Sequence, residues 1–150
     1  MDMAEIYLRR KIDQYLHSWK EDVNRKPLIV KGPRQVGKTE SILHFAAENY
    51  KSVIYINFIE EPKYKLITEN GYKPDEMIRN ISRIDPSKHF EPGETLLFFD
   101  ELQDYPEIAT ALKFFKIDGR FDVVCRGALL GIAYKRIESN SVGYKTDYNM

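Results

Sequence analysis

The spacing of apolar residues predicts an N-terminal helix followed by strands that alternate with helices. Near the start, apolar residues recur at steps of three and four, which gives one apolar stripe along a helix: Leu8, Ile12, Tyr15, Leu16 and Trp19. Four later runs are short and apolar, as expected of buried strands: 27–30, 52–58, 95–100 and 121–125. This alternation indicates a three-layer α/β domain built on a mostly parallel sheet.

The segments between these runs carry helical or irregular patterns. One helix is predicted over 38–49, and another from Pro106 to Gly119, because proline suits the first helical position and glycine suits the C-cap. Prolines interrupt residues 62–92, so we expect only one or two short helices there. Residues 134–150 are polar and without a clear period, and they predict no further packed element.

Composition narrows the picture to one cytoplasmic domain. A chain of 150 residues, 43% of them hydrophobic, is long enough to bury one ordinary core. Its 23 basic and 23 acidic residues balance, so no overall field attracts nucleic acid or an anionic membrane. The chain has one cysteine, no apolar leader at its N-terminus and no apolar run that could cross a bilayer.

The segment GPRQVGKT, residues 32–39, matches the phosphate-loop pattern G-x-x-x-x-G-K-[ST] between a predicted strand and a predicted helix. A plain glycine turn is the simpler explanation, but an accidental match has a chance of order 1% in such a chain. Lys38 would reach the β- and γ-phosphates of ATP, and the Thr39 hydroxyl would coordinate Mg²⁺. The predicted nucleotide-binding residues are Gly32, Pro33, Arg34, Gln35, Val36, Gly37, Lys38 and Thr39.

Two consecutive carboxylates, Asp100 and Glu101, close the third predicted strand. Ligands of open α/β sheets bind at this end of the strands. We expect Asp100 to hold Mg²⁺ through its water shell and Glu101 to polarise the attacking water as general base. An acidic pair after a strand is often just a solvated strand end, but its position behind a phosphate loop favours a site. Lys38 and Glu101 are thus the predicted catalytic residues, and Thr39 and Asp100 the predicted metal ligands.

Weaker candidates surround this set. Gln103 could orient water or a phosphate. Several arginines could stabilise transition-state charge, although surface solvation is the simpler fate of each: Arg9, Arg10, Arg34, Arg120, Arg126 and Arg136. The basic run LRRK, residues 8–11, offers weak support for a nucleic-acid partner, and a solvated helix face explains it more simply.

The order of GPRQVGKT, LLFFDELQ and VVCRGALLGIA resembles prokaryotic AAA-type ATPases that carry a C-terminal domain of unknown function. Gln35, Gln103 and Gly127 fit the pattern of that family. The resemblance implies an AAA-type ATP-binding domain over 1–150, with an N-terminal helix region (1–26), a P-loop core (27–133) and a polar tail (134–150). It also implies a γ-phosphate sensor at the end of the fourth strand, where Arg126 and Ala128 replace the expected hydroxyl residues.

A second departure from the family is length. Members continue through another strand, a helical lid and the extra domain, so we expect this chain to be truncated, without the fifth strand and the lid. The first strand would then be an exposed edge, which predicts self-association. A missing lid would weaken nucleotide binding.

The leading functional hypothesis is Mg²⁺-dependent ATP hydrolysis coupled to an unknown protein partner or a missing domain. The alternative is a nucleotide-binding but catalytically silent fragment or interaction module, which Arg126 and Ala128 favour. A small-molecule kinase would need an acceptor pocket and a lid that the sequence does not obviously encode. A GTPase is disfavoured because no guanine-reading N/T-K-x-D segment occurs.

Overall fold

The computed structural model describes residues 3–32, 37–128, 131–141 and 143–149. Five helices and five strands alternate along most of these residues: α1 (Met3–Glu21), β1 (Leu28–Lys31), α2 (Lys38–Asn49), β2 (Ser52–Asn57), α3 (Pro74–Ile84), β3 (Thr95–Asp100), α4 (Ile108–Asp118), β4 (Asp122–Gly127), α5 (Gly131–Ser141) and β5 (Thr146–Asn149). Two short 3₁₀ turns, Pro62–Leu66 and Leu102–Asp104, follow β2 and β3.

The strands form one parallel sheet in the order β2-β3-β4-β1-β5. Side chains of alternating strand positions point to opposite faces, so each strand contributes to two cores. Leu28 and Val30 pack with α1 and α2 on one face, whereas Ile29 packs with α3 and α4 on the other. The structure therefore confirms the predicted α/β class with a parallel sheet between two helical layers.

The prediction that the fifth strand is missing is wrong. Strand β5 pairs in parallel with β1, with Leu28 opposite Thr146 and Lys31 opposite Asn149. Because β1 lies between β4 and β5, it is not an edge of the sheet. The argument for self-association through an exposed first strand is thereby removed. The missing lid and the further domain stay predictions.

The expectation of no packed element in residues 134–150 is also wrong, because most of α5 and all of β5 lie there. The charged residues that make this segment look like a solvated tail form ion pairs. Lys31 of β1 contacts Glu138 of α5 at 2.7 Å and Asp147 of β5 at 3.2 Å, and Lys145 contacts the same two carboxylates. In β5 the one buried side chain is Tyr148, so the sequence of this short edge strand does not alternate between apolar and polar residues.

Two element boundaries differ by two residues from those predicted. Strand β4 continues to Gly127, past the predicted end at residue 125, so Arg126 lies within the sheet. Helix α4 begins at Ile108 instead of Pro106, and it ends as predicted at Gly119, whose φ of 76° is left-handed. None of the described helices combines the length and apolar character needed to cross a membrane.

Candidate nucleotide-binding site

The predicted phosphate loop joins the end of β1 to the start of α2. Of its predicted nucleotide-binding residues, Pro33, Arg34, Gln35 and Val36 lie outside the described residues, and Gly32, Gly37, Lys38 and Thr39 lie within them. Gly37 has φ 108°, a backbone conformation that strains residues with a Cβ. At the other end of the loop, the amide of Gly32 donates to the carbonyl of Gly127 over 3.4 Å. The loop therefore begins beside the end of β4.

The first turn of α2 meets the acidic end of β3. The Thr39 hydroxyl donates a hydrogen bond of 2.7 Å to Asp100 Oδ2. Lys38, next to it, is only 3% exposed. Burial lowers the pKa of Lys38, and the nearby charge of Arg126 lowers it further. The predicted loop residues and the predicted carboxylates thus come together at one end of the sheet.

One arginine bridges both carboxylates. Arg126 Nε donates to Asp100 Oδ1 over 2.6 Å, and Arg126 Nη2 donates to Glu101 Oε1. The three residues are 5%, 1% and 4% exposed, respectively. This contact follows from the sheet register, in which Arg126 of β4 is the partner of Asp100 of β3. Two buried negative charges therefore share one positive charge that a strand holds in place.

The other carboxylate oxygens are also occupied. Besides Thr39, Asp100 Oδ2 accepts a hydrogen bond of 2.6 Å from the Tyr55 hydroxyl. Glu101 Oε2 accepts one of 2.9 Å from Gln103 Nε2. Burial and the bond to Asp100 raise the pKa of Tyr55, so its hydroxyl stays a donor at neutral pH. Each of the four oxygens of the acid pair therefore has a donor.

Gln103 connects the acid pair to the end of β4. Its Oε1 accepts a hydrogen bond of 3.2 Å from the Ala128 amide. A Cβ on Gly127 would lie 2.6 Å from that Oε1 and 3.1 Å from the Leu102 backbone nitrogen, so a larger residue would displace the Gln103 side chain and crowd the backbone. Glu101 adopts a left-handed conformation with φ 62°, the one such non-glycine residue in the described part of the chain. Conformations of this kind cost about 1–3 kcal/mol and cluster at functional sites.

The arginine candidates divide between the site and the surface. Arg9 of α1 lies against the loop: a Cβ on Gly37 would be 3.0 Å from its Nε, and its Nη2 is 3.5 Å from Glu40. Arg120 and Arg136 form ion pairs with exposed or half-buried carboxylates away from the acid pair. Arg34 lies outside the described residues.

Sequence reasoning missed two features of this site. Tyr55 carried no motif signal, because a tyrosine inside a β-branched strand is ordinary. Arg126 was one of several arginine candidates and a departure from a resemblance, but nothing in the sequence pointed to its contact with both acids. The signal that could have revealed it is the parallel register, which aligns the last residues of β3 and β4.

The arrangement does not fit the predicted Mg²⁺ site. Magnesium demands a near-octahedral set of oxygen ligands, and proteins usually supply one or two carboxylates for it. Here Arg126 lies between the two carboxylates and donates to both of them. The donor set is thus arranged around a guanidinium instead of a divalent ion.

A parallel sheet whose first strand leads through a glycine loop into a helix, and whose third strand ends in two acids, defines a P-loop NTPase fold. The family model described as "AAA domain" matches residues 24–150. The chain belongs to that AAA domain family. No curated protein matches it.

Solved structures share this fold at low sequence identity. Drosophila ORC bound to DNA is 12% identical with a TM-score of 0.56, and the match covers 95% of this chain and 91% of that chain. Drosophila ORC bound to GC-rich DNA and Cdc6 is 12% identical with a TM-score of 0.57, over 95% of this chain and 56% of that chain. C. elegans PCH-2 is 13% identical with a TM-score of 0.51, and this chain spans 42% of its length. These likenesses concern the fold alone.

Proposed function

We propose that this chain binds ATP at the loop formed by residues 32–39, with Lys38 and Thr39 facing the phosphates. The observation that carries the proposal is the 2.7 Å hydrogen bond from Thr39 to Asp100, which joins the loop to the acidic strand end. The first turn of α2 adds the backbone N–H groups and the positive dipole end of a helix N-terminus, both of which favour a phosphate. Membership of the AAA domain family supports the same conclusion.

The geometry favours binding without turnover, the silent alternative of the sequence analysis. A general base needs a carboxylate oxygen that can accept a proton from water. Each oxygen of Glu101 already accepts a hydrogen bond, one from Arg126 and one from Gln103, so an attacking water would have to share an oxygen with one of these donors or displace it. At the sensor position Ala128 has no polar side-chain atom with which to detect a phosphate.

ATP hydrolysis is the second candidate, because Lys38, Thr39, Asp100 and Glu101 all lie at one end of the sheet. It would require Arg126 to release Glu101 during the cycle. The process coupled to hydrolysis would belong to a protein partner or a further domain. A nucleic-acid partner is the weaker proposal, because the chain has no net charge.

The test is a calorimetric titration with ATP of the wild type and of Lys38→Ala, with phosphate release followed in the same samples. Losing one charged phosphate contact should weaken binding by about tenfold to a hundredfold. The matched control is Lys113→Ala on α4, which should bind like the wild type. Absence of binding, or equal binding by Lys38→Ala, would contradict the proposed site.

Phosphate release separates the two candidates. We expect release no faster than that of ATP alone, for the wild type and for Glu101→Gln alike. Release by the wild type that Glu101→Gln abolishes would establish hydrolysis instead.

A further inference from the structure

We propose that the guanidinium of Arg126 takes the place of a divalent cation, so that this chain binds a nucleoside triphosphate without Mg²⁺. The inference rests on the proposed nucleotide binding and concerns which cation balances the site. It concerns the acid pair, which consists of Asp100 and Glu101. Both residues are buried, and both form an ion pair with Arg126.

Charge balance supports this exchange of cations. The two carboxylates and the two cations Lys38 and Arg126 sum to zero at one end of the sheet. Without Arg126 the same end would carry an excess negative charge, which would repel the phosphates until a divalent ion compensated it. With Arg126 in place, a triphosphate approaches four charged groups that sum to zero, instead of three groups with an excess negative charge. The need for a metal to screen the carboxylates is thereby removed.

Arg126 is suited to act as a permanent cation. A guanidinium stays protonated throughout the physiological range, and its planar fork can bridge two carboxylates. Its strand position, opposite Asp100 in the β3–β4 register, holds it in the sheet and not in a loop that could swing away. Displacing it would leave two buried carboxylates without the cation that they share, which is strongly unfavourable. A metal ion would therefore compete poorly for the same oxygens.

Arg126 also bears on the phosphate-binding end of the loop. It lies beside the strand that leads into the loop, because its register partner on β1 is Val30. The ion pairs with Asp100 and Glu101 use Nε and Nη2, whereas a guanidinium has five N–H donors. Remaining N–H groups can thus donate to phosphate oxygens while the acid pair stays bound.

The experiment is a calorimetric ATP titration in buffer with EDTA and in buffer with Mg²⁺. For the wild type we expect dissociation constants that agree within about threefold between the two buffers. For Arg126→Thr, which removes the charge, we expect binding in EDTA to be roughly tenfold or more weaker than in Mg²⁺. The matched control is Arg79→Thr on the exposed face of α3, which should behave like the wild type.

The outcomes separate this inference from the proposal on which it rests. Wild-type binding that requires Mg²⁺ would overturn the inference and leave ATP binding intact. No binding in either buffer would overturn both. If Arg126→Thr binds ATP in EDTA as tightly as the wild type does, Arg126 is not the reason for metal-free binding, and the inference is wrong. Circular dichroism shows whether Arg126→Thr folds. If it does not, the wild-type dissociation constants in EDTA and in Mg²⁺ still decide whether binding requires the metal.

Discussion

Replacing Arg126 with methionine should destabilise the fold strongly, because the substitution leaves Asp100 and Glu101 buried without their cation. Both carboxylates are less than 5% exposed, so water cannot easily take over the role of the guanidinium. Breaking a buried ion pair by removing one partner costs about 3–5 kcal/mol. Domains have total stabilities of about 5–15 kcal/mol, so this loss is a large part of the whole. At this chain length it corresponds to a fall in Tm of roughly 6–20 °C.

The chain offers a convenient probe for this measurement. Trp19 is its single tryptophan, is 6% exposed and donates from Nε1 to the carbonyl of Lys26 over 2.8 Å. Its fluorescence during urea denaturation reports the α1 interface with the sheet. We expect a lower midpoint with an unchanged slope, because the surface exposed on unfolding stays the same. Arg79→Met, on an exposed helix face, should change the free energy of unfolding by no more than about 0.5 kcal/mol.

A second background tests the cause of this effect. In a variant that carries Asp100→Asn and Glu101→Gln, the substitution Arg126→Met should cost clearly less, because no charged carboxylate loses its partner. Added Mg²⁺ should stabilise Arg126→Met when Asp100 and Glu101 are retained, because no guanidinium is then bound to them. It should not change the stability of the wild type. The reasoning is refuted if Arg126→Met is as stable as the wild type, or if its cost is equal in both backgrounds.

Two further predictions concern the end of β4 and the anchoring of β5. Gly127→Ala should lower the free energy of unfolding by about 1–3 kcal/mol, because the new Cβ would lie 3.1 Å from the Leu102 backbone nitrogen and would push the Gln103 side chain away from the Ala128 amide; urea denaturation that shows no loss would contradict the close packing. Burial alone would raise the pKa of Glu138, but hydrogen bonds from Lys145 and Lys31 lower it below its ordinary value of about 4.3. A carboxyl with a lowered folded pKa stabilises the fold above its unfolded pKa, and this contribution disappears as the pH falls through the folded pKa. Amide signals of β5 in NMR spectra should therefore broaden or shift first on acidification below about pH 4, and Glu138→Gln should show the same change already at pH 7.

The core of the fold was predictable because its signals are local. Strand β3 occupies the predicted residues, and α2 occupies the predicted helix, since an apolar run and a helical period each reveal themselves within one segment. The motifs predicted that Thr39 and Asp100 serve one site, and in the structure the Thr39 hydroxyl donates to Asp100. The chemical roles of these residues stay predictions.

Strand β5 and the contact of Arg126 were not predictable in the same way, because both depend on pairing between distant segments. The charges in residues 138–147 suggest a solvated tail until Lys31, more than a hundred positions away, is placed beside them. Arg126 likewise has an ordinary sequence context, and only the register of β4 against β3 brings it onto Asp100. Contacts of this kind arise from topology, whereas periodicity and motifs describe single elements.

The most direct test of the central claim is an amide ¹H–¹⁵N NMR titration of the wild type with ATP. The proposed site predicts shifts concentrated at Gly37, Lys38 and Thr39, and at the ends of β3 and β4. A cavity of about 170 Å³ at the opposite end of β1 and β4, beside Trp19, provides the internal comparison. No shift at the loop with excess ATP, or shifts confined to the residues around Trp19, would contradict nucleotide binding at residues 32–39.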